Sequence, residues 1–282
     1  MVELNPALLV TGSARLDTSF SFHLHPLTVK EICNFIKEKP AQALADLVRF
    51  GGFPEPYLKK NDTFARRWRR IHTDTIIRED LLDLERVRDI KSIEILIDLL
   101  RARVGSTTSY TSLANDLQVS IHTVKHWLQI LENLYIIFPV RPYYKNVARS
   151  LLKESKYYLY DTGAVEGSFS ARLENTVACA LIRELHFIED TTGSRVGLHF
   201  LRDKEKREVD FLVVIDGKPV MMIEVKEGDD SFSAALFRFH GYLKSAFPVQ
   251  IVYNLKHRKS NGPAKMVSVV DFLLEMKFHP DR

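Results

Sequence analysis

The sequence predicts a mixed α/β protein with three consecutive parts. The middle of the chain carries a helix-turn-helix pattern followed by two strand-like segments, and the last third alternates helix, three strands, helix and strand. A chain of 282 residues with 45% hydrophobic and 27% charged residues is large enough to bury two cores. We therefore expect a helical N-terminal part at residues 1–89, a winged helix at 90–161 and an α/β domain at 162–282.

The composition argues against secretion and membrane insertion. No apolar stretch reaches 18 residues and no signal peptide is recognisable. The two cysteines, Cys33 and Cys179, lie in helix-like segments without a partner motif, so we expect reduced thiols. These observations predict a cytoplasmic protein that has no membrane partner.

The N-terminal part opens with an apolar strand-like segment from Leu8 to Leu16, which contains a Thr11-Gly12-Ser13 turn. A basic helix is predicted from Thr63 to Asp80. Its arginines could contact nucleic acid. Acidic residues at helical spacing instead favour a solvated, ion-paired face.

The middle part has the pattern of a helix-turn-helix. A short helix from Thr111 to Gln118 leads into a turn, and Ser120 can cap a second helix from Ile121 to Asn133. On that second helix His126 and Gln129 face outward, where a recognition helix presents base-reading groups. The residues predicted to face inward are Leu113, Leu117, Val124, Leu128 and Leu131.

Two strand-like segments follow, Tyr135 to Val140 and Lys156 to Tyr160, and they are typical of a wing. The loop between them carries four basic residues: Arg141, Lys145, Arg149 and Lys153. Basic side chains in such a loop can neutralise phosphates, so DNA is one expected partner. Docking of another protein is the alternative, because winged helices also serve that purpose.

The charge distribution permits contact with phosphates without requiring it. The net charge is +4. Residues 61–160 contain 16 lysines and arginines against 12 acids, whereas residues 161–282 contain 17 against 18. The excess of positive charge therefore lies in the middle segment.

The last third predicts one helix, three strands, a second helix and a closing strand. Apolar residues at helical spacing begin near Ala171, and a strand is predicted from Val196 to Arg202. Two apolar strands then flank the Asp216-Gly217-Lys218-Pro219 turn. Asp230 and Ser231 can cap the second helix, and a strand from Pro248 to Leu255 closes the domain.

The hairpin around that turn carries the most informative residues of the chain. It is expected to deliver Asp210, Glu224 and Lys226 to one end of a sheet, and the last two share a face because they lie two apart. Carboxylates set close together repel each other, and a divalent cation removes that repulsion. Two carboxylates on a hard cation beside an ammonium group can hydrolyse a phosphodiester. A solvated strand edge that alternates Glu and Lys is the structural alternative.

This arrangement resembles the PD-(D/E)XK nuclease superfamily, whose core is an α-β-β-β-α-β unit. The motif here is Val209-Asp210 followed by Glu224-Val225-Lys226, and the proline is absent. The resemblance implies a restriction-endonuclease-like fold with Mg²⁺ or Mn²⁺ on Asp210 and Glu224. It further implies that Glu174 is the acid borne by the preceding helix and that the catalytic residues are Glu174, Asp210, Glu224 and Lys226.

A second resemblance covers nearly the whole chain. Residues 8–16, 22–32 and 50–57 resemble the end of the ATPase module in a large prokaryotic family of AAA+-type ATPases. Those proteins carry a C-terminal domain of unknown function, built from a winged helix and a nuclease-like domain. The resemblance implies that the Thr11-Gly12-Ser13 turn is the sensor strand and that residues 1–89 are the remnant of a sensor and lid region.

The phosphate-binding motif of such ATPases is missing. No G-x-x-x-x-G-K-[ST] segment occurs, so no lysine and backbone cradle hold the β- and γ-phosphates. We therefore expect no ATP site. The chain is expected to be either a shortened relative or a piece of a longer protein.

The sequence thus predicts a DNA-binding protein with a metal-dependent nuclease-like domain. A catalytically silent adaptor that binds protein or DNA through the winged helix is the main alternative. A third hypothesis is that the chain regulates a full-length ATPase by assembling with it through the remnant sensor region. A protein partner or a homo-oligomer is a further alternative.

Overall fold

The computed structural model describes residues 21–77, 90–144, 154–228 and 231–278. The helices of these residues are α1 (Val29–Glu31, continued by a π turn at Ile32–Ile36), α2 (Pro40–Phe50), α3 (Pro54–Lys59), α4 (Asp62–Thr75), α5 (Ile90–Ala102), α6 (Tyr110–Leu117), α7 (Ile121–Asn133), α8 (Phe169–Thr192), α9 (Ala234–Tyr242) and α10 (Val269–Glu275). A short 3₁₀ turn spans Thr162–Ala164.

The strands are β1 (Ile137–Pro142), β2 (Lys156–Leu159), β3 (Val196–Arg202), β4 (Glu208–Ile215), β5 (Lys218–Lys226), β6 (Phe247–Val252), β7 (Lys259–Asn261) and β8 (Ala264–Ser268). Within the described residues they form one mixed sheet with the order β2-β1-β3-β4-β5-β6-β8-β7. The pairs β1/β3, β5/β6 and β6/β8 are parallel. The mixed α/β class is therefore confirmed.

The helix-turn-helix pattern is present as two helices with polar caps. The side chains of Ser109 and Ser120 accept hydrogen bonds from backbone N–H groups in the first turns of α6 and α7. Gln118 ends α6 in the left-handed conformation, with φ at 55°. The residues predicted to face inward, Leu113, Leu117, Val124, Leu128 and Leu131, are all buried.

The two strands after α7 pair as a hairpin and also join the main sheet. β1 and β2 are antiparallel, with Ile137 opposite Leu159. β1 then pairs in parallel with β3 through Arg141 and Pro142. The sheet is therefore continuous across residues 161 and 162, where the sequence places a boundary between two parts.

The last third has the predicted order of helix, three strands, helix and strand. Ser168 caps α8, and Gly193 ends it in the left-handed conformation. β3 has the predicted bounds. Asp216 and Gly217 both have positive φ, 49° and 74°, as a tight hairpin turn with the right-handed twist of its strands requires.

The start of α9 differs from the sequence prediction. The helix begins at Ala234, and Asp230 lies outside the described residues. The buried side chain of Gln250 accepts a hydrogen bond from the Ser233 N–H at 2.7 Å and donates one to the Ser231 carbonyl at 2.7 Å. The Gln250 amide on β6 thus binds the backbone of Ser231 and Ser233. The helix therefore begins later than the predicted cap at Asp230 and Ser231.

A histidine cluster joins the N-terminal part to the last turns of α8. His23 Nδ1 lies 2.9 Å from Asp190 Oδ1, and His25 Nε2 lies 2.9 Å from His186 Nδ1. Burial lowers the pKa of His25 to about 3 and that of His186 to about 4, so both rings are neutral at pH 7. A bond between two neutral rings, one donating and one accepting, keeps the segment against the helix.

The apolar core lies on both faces of the sheet. The larger cluster runs from α2 and α5 through α6, α7 and α8 to one face of the strands. A smaller cluster, which includes Leu212, Met222, Leu236 and Phe239, packs α9 on the opposite face. No helix within the described residues is both long and apolar enough to cross a membrane.

Candidate metal centre

A cluster of charged side chains lies where α8, β2, β4 and β5 meet. It contains four carboxylates and two ammonium groups: Glu174, Glu208, Asp210, Glu224, Lys156 and Lys226. The structure therefore brings together Glu174, Asp210, Glu224 and Lys226, all four catalytic residues that the sequence predicts. It adds Lys156 and Glu208.

The hairpin register places Asp210 beside β5. Phe211 on β4 pairs with Ile223 on β5. Asp210 Oδ2 accepts a hydrogen bond from the Val225 N–H at 2.9 Å. This contact fixes one oxygen of Asp210 on the backbone between Glu224 and Lys226.

Glu224 is almost completely buried, and within the described residues only one of its two carboxylate oxygens has a polar partner. Its Oε1 lies 2.8 Å from Lys226 Nζ, which confirms that the two side chains share a face of β5. Its Oε2 is buried and has no hydrogen-bond partner within the described residues. An unpaired buried carboxylate oxygen is costly, so this atom marks an open acceptor position.

Glu174 projects from the first turns of α8 toward the cluster. The hydroxyl of Tyr158 donates a hydrogen bond of 2.6 Å to Glu174 Oε1, and Lys156 Nζ lies 3.5 Å from the same atom. Burial and the charge of Glu174 raise the pKa of Tyr158 well above its usual value. The phenol therefore stays protonated and donates a hydrogen bond to Glu174.

Lys156 is the main residue of the site that the sequence analysis missed. Its side chain is 2% exposed, and its Nζ lies 2.6 Å from Glu208, 3.5 Å from Glu174 and 3.8 Å from Asp210. Burial opposes its charge, but the surrounding carboxylates outweigh burial and raise the pKa. The sequence signal that could have identified this residue is its position at the start of an aromatic strand. A lysine buried in such a strand needs charged partners, because lysine is seldom fully buried without them.

The carboxyl groups of Glu174, Asp210 and Glu224 have pKa values above their usual range. Burial and the neighbouring charge of Asp210 raise the pKa of Glu174 and of Glu224 to about 7. Burial also raises the pKa of Asp210, although Lys156 opposes this. The ammonium groups therefore only partly offset burial and mutual repulsion.

The carboxylates of the cluster are suitable ligands for a divalent cation, but their side chains are not oriented toward a common metal position. Within the described residues, no group of three or more His, Cys, Asp or Glu side chains is arranged to hold a metal ion. Glu174 and Glu208 contact Lys156 instead, and Glu224 contacts Lys226. The buried Glu224 Oε2, which has no partner within the described residues, nevertheless suits a hard cation, which prefers oxygen ligands. Asp210 and Glu224 are the pair that could hold it.

The predicted nucleic-acid residues within the described part of the chain lie on α7 and β1. His126 and Gln129 are exposed on α7, and Gln129 Nε2 donates to Asn133 Oδ1 at 3.0 Å. Arg141 is not in the loop but on β1, with its Nη2 3.6 Å from Glu132 Oε2. The other predicted contacts, Lys145, Arg149 and Lys153, lie outside the described residues, as does the Thr11-Gly12-Ser13 turn.

Two family models match consecutive segments of the chain. Residues 41–169 are similar to a domain of unknown function designated DUF8612, and residues 169–272 are similar to one designated DUF4143. The two matches meet at the first residue of α8. No solved structure matches the chain.

The curated relatives are uncharacterized prokaryotic proteins. A protein of Methanocaldococcus jannaschii is 27% identical over 191 residues, which are 64% of this chain and 41% of the relative. A Haemophilus influenzae protein is 23% identical over 67% of this chain and 54% of its own length. A Mycobacterium tuberculosis protein is 21% identical over 60% and 40%. The chain thus spans about half or less of the relatives that it matches.

Proposed function

We propose that this chain is a DNA-binding protein whose last third is a nuclease-like domain that uses Mg²⁺ or Mn²⁺. The observation that carries the proposal is the buried carboxylate cluster at the β4–β5 hairpin. There Asp210 and Glu224 meet beside Lys226, and one Glu224 oxygen lacks a partner within the described residues. The predicted order of elements around that hairpin supports the same proposal.

A divalent cation held by Asp210 and Glu224 would polarise a phosphodiester and activate water. Lys226 is 37% exposed, so its ammonium group can leave Glu224 and meet a phosphate oxygen from solvent. There it would offset the negative charge that develops on the phosphorus oxygens. Asp210 keeps its orientation through the Val225 N–H.

Glu174 acts as an outer acid in this proposal. Tyr158 and Lys156 fix its side chain through contacts of 2.6 and 3.5 Å with Oε1. With a pKa of about 7, it can hold or release a proton near neutral pH. It is therefore suited to accept a proton from the attacking water.

The winged part would supply most of the contact with DNA. His126 and Gln129 are exposed on the second helix of the helix-turn-helix, and Arg141 begins the basic stretch that continues with Lys145, Arg149 and Lys153. Phosphate contacts from such a stretch position a duplex without reading its sequence. ATP hydrolysis is not part of the proposal, because the chain contains no G-x-x-x-x-G-K-[ST] segment.

A silent adaptor is the second candidate, and one observation favours it. Lys156 and Lys226 already contact three of the four carboxylates at 2.6 to 3.5 Å. A cluster neutralised in this way can be purely structural. In that case the winged part binds DNA or protein and the α/β domain catalyses nothing.

Cleavage assays separate the two candidates. Wild type, Asp210→Asn, Lys226→Ala and the control Lys218→Ala are incubated with Mn²⁺ and single-stranded, duplex or branched DNA. Lys218 is exposed at the opposite end of the strand that carries Lys226. The proposal predicts cleavage by wild type and the control and at least about 100-fold less by the site variants. Inactive wild type on all three substrates favours the adaptor, and equal activity in all proteins indicates a contaminant.

A further inference from the structure

Buried Lys156 occupies the place that a second metal ion would take. Its Nζ lies within 3.8 Å of three carboxylates from two elements, Glu174 on α8 and Glu208 and Asp210 on β4. The two cations of a two-metal hydrolase lie about 3.5 to 4 Å apart and share an acidic ligand. Asp210 is the residue of this cluster placed to be shared, because Oδ2 accepts the Val225 N–H and the other oxygen, Oδ1, faces Lys156.

The lysine is held so that it cannot easily withdraw. Its side chain is 2% exposed, and its ammonium group also lies 5.5 Å from the centre of the Phe200 ring. Tyr158, which is fully buried, donates to Glu174 on the same side. Glu208 is further engaged by Arg202, whose Nη1 lies 3.7 Å away.

The other side of the cluster is open by comparison. Glu224 Oε2 has no partner within the described residues, and Lys226 is the more exposed of the two lysines. A cation that binds between Asp210 and Glu224 gains this oxygen. A cation that binds between Asp210 and Glu174 meets an ammonium group at van der Waals distance, and like charges repel strongly in a buried site.

We infer that the centre binds one divalent cation and that Lys156 is a tethered substitute for the second. This inference rests on the proposed function. Lys156 is a positioning residue: it holds Glu174 and Glu208 and leaves Asp210 and Glu224 to the metal.

The test counts bound Mn²⁺ per chain, by calorimetry and by electron paramagnetic resonance at saturation. Wild type is expected to bind one Mn²⁺ with the spectrum of an isolated ion. Lys156→Met is expected to bind two, because Glu174 and Asp210 are released. Lys156→Gln also removes the charge but can still donate hydrogen bonds to Glu208, so it serves if the Met variant does not fold.

The outcomes distinguish this inference from the proposed function. Two ions in wild type would overturn the inference and leave a metal-dependent site in place, whether or not either variant folds. One ion in wild type and in a folded Lys156 variant would show that the lysine does not exclude the second ion. If wild type binds no Mn²⁺, the proposed metal site itself fails and the inference fails with it.

Discussion

At the scale of single residues, Lys156 and Asp210 have opposite effects on the folded state. Lys156 offsets charge that the fold has buried, whereas Asp210 adds to it. A buried ion pair contributes little net stability, but removal of one partner leaves an uncompensated charge. The two residues therefore predict opposite responses to neutralising substitutions.

Substitution of Lys156 by Met should destabilise the metal-free protein. The change leaves Glu174, Glu208 and Asp210 without their shared ammonium group, and the free energy of unfolding should fall by about 3 kcal/mol. Urea denaturation in EDTA at pH 7 measures the loss, with Lys218→Ala as the exposed lysine control. A loss below about 0.5 kcal/mol, as is usual at exposed sites, would contradict the role of this lysine.

The raised pKa values of Glu174 and Glu224 predict that the metal-free protein loses stability as pH rises. Both groups have a folded pKa of about 7 against an ordinary value of 4.5. Between these values the folded state binds more protons than the unfolded state, so the stabilisation is complete below pH 4.5 and is lost as pH approaches 7. Each group contributes a slope of up to about 1.4 kcal/mol per pH unit.

Urea denaturation in EDTA between about pH 5 and pH 7 tests this dependence. Glu224→Gln should flatten the slope, while Glu205→Gln, a change at an exposed acid, should leave it as in wild type. Stability that rises over this interval would contradict the account. Saturating Mn²⁺ should remove the decline, because a bound cation favours the ionised carboxylates.

At the scale of elements, the hairpin β4–β5 shows what local patterns can determine. The Asp216-Gly217 turn begins the pairing and a β-bulge between Val213 and Val214 shifts it by one residue, which sets Asp210 beside Val225. Both follow from residues that are close in sequence. Lys156 reaches the same site from β2, a strand that the sequence assigns to a wing. No local sequence pattern links residue 156 to residues 174 and 208, so its contacts with them could not be predicted. Gln250 escaped prediction for the same reason, since it holds the start of α9 from a distant strand.

If the proposed winged helix binds DNA, the affinity should depend steeply on salt concentration. Simultaneous change of Arg141, Lys145, Arg149 and Lys153 to Ala should weaken binding. It should also reduce the slope of log K against log salt by about 0.9 for each phosphate that the variant no longer neutralises. Fluorescence anisotropy with a labelled duplex at several salt concentrations measures both effects, with Lys218→Ala as control. Unchanged affinity and slope in the fourfold variant would exclude these four basic residues as the DNA-binding segment.

At the scale of the whole molecule, the sheet joins parts that the sequence separates. The β1–β2 hairpin, which the sequence assigns to a wing, pairs with β3 through β1, and Lys156 on β2 contacts the carboxylate cluster. DNA bound on the proposed winged helix would therefore lie on a sheet that also carries the proposed active site. Sequence patterns predicted the order of the elements. They could not predict this junction, because it consists of two residue pairs whose members lie far apart in the sequence. The pairs are Arg141 with His199 and Pro142 with Phe200.

The whole chain should not bind ATP tightly. Residues 1–282 lack the glycine-rich segment and lysine that hold the β- and γ-phosphates. Calorimetry with ATP and Mg²⁺ should detect no binding in the micromolar range. Micromolar affinity would require a nucleotide site formed by other residues.

The most direct test of the central claim is a crystal structure of the protein soaked in Mn²⁺, with an anomalous difference map. We expect one peak between Asp210 and Glu224, with carboxylate oxygens at about 2.0 to 2.2 Å as is usual for a small divalent cation. Glu224 Oε2 should be among the ligands, and Lys156 should stay in contact with Glu174 and Glu208. A map without a peak at this position at saturating Mn²⁺, or a peak that leaves Asp210 and Glu224 uncoordinated, would contradict it.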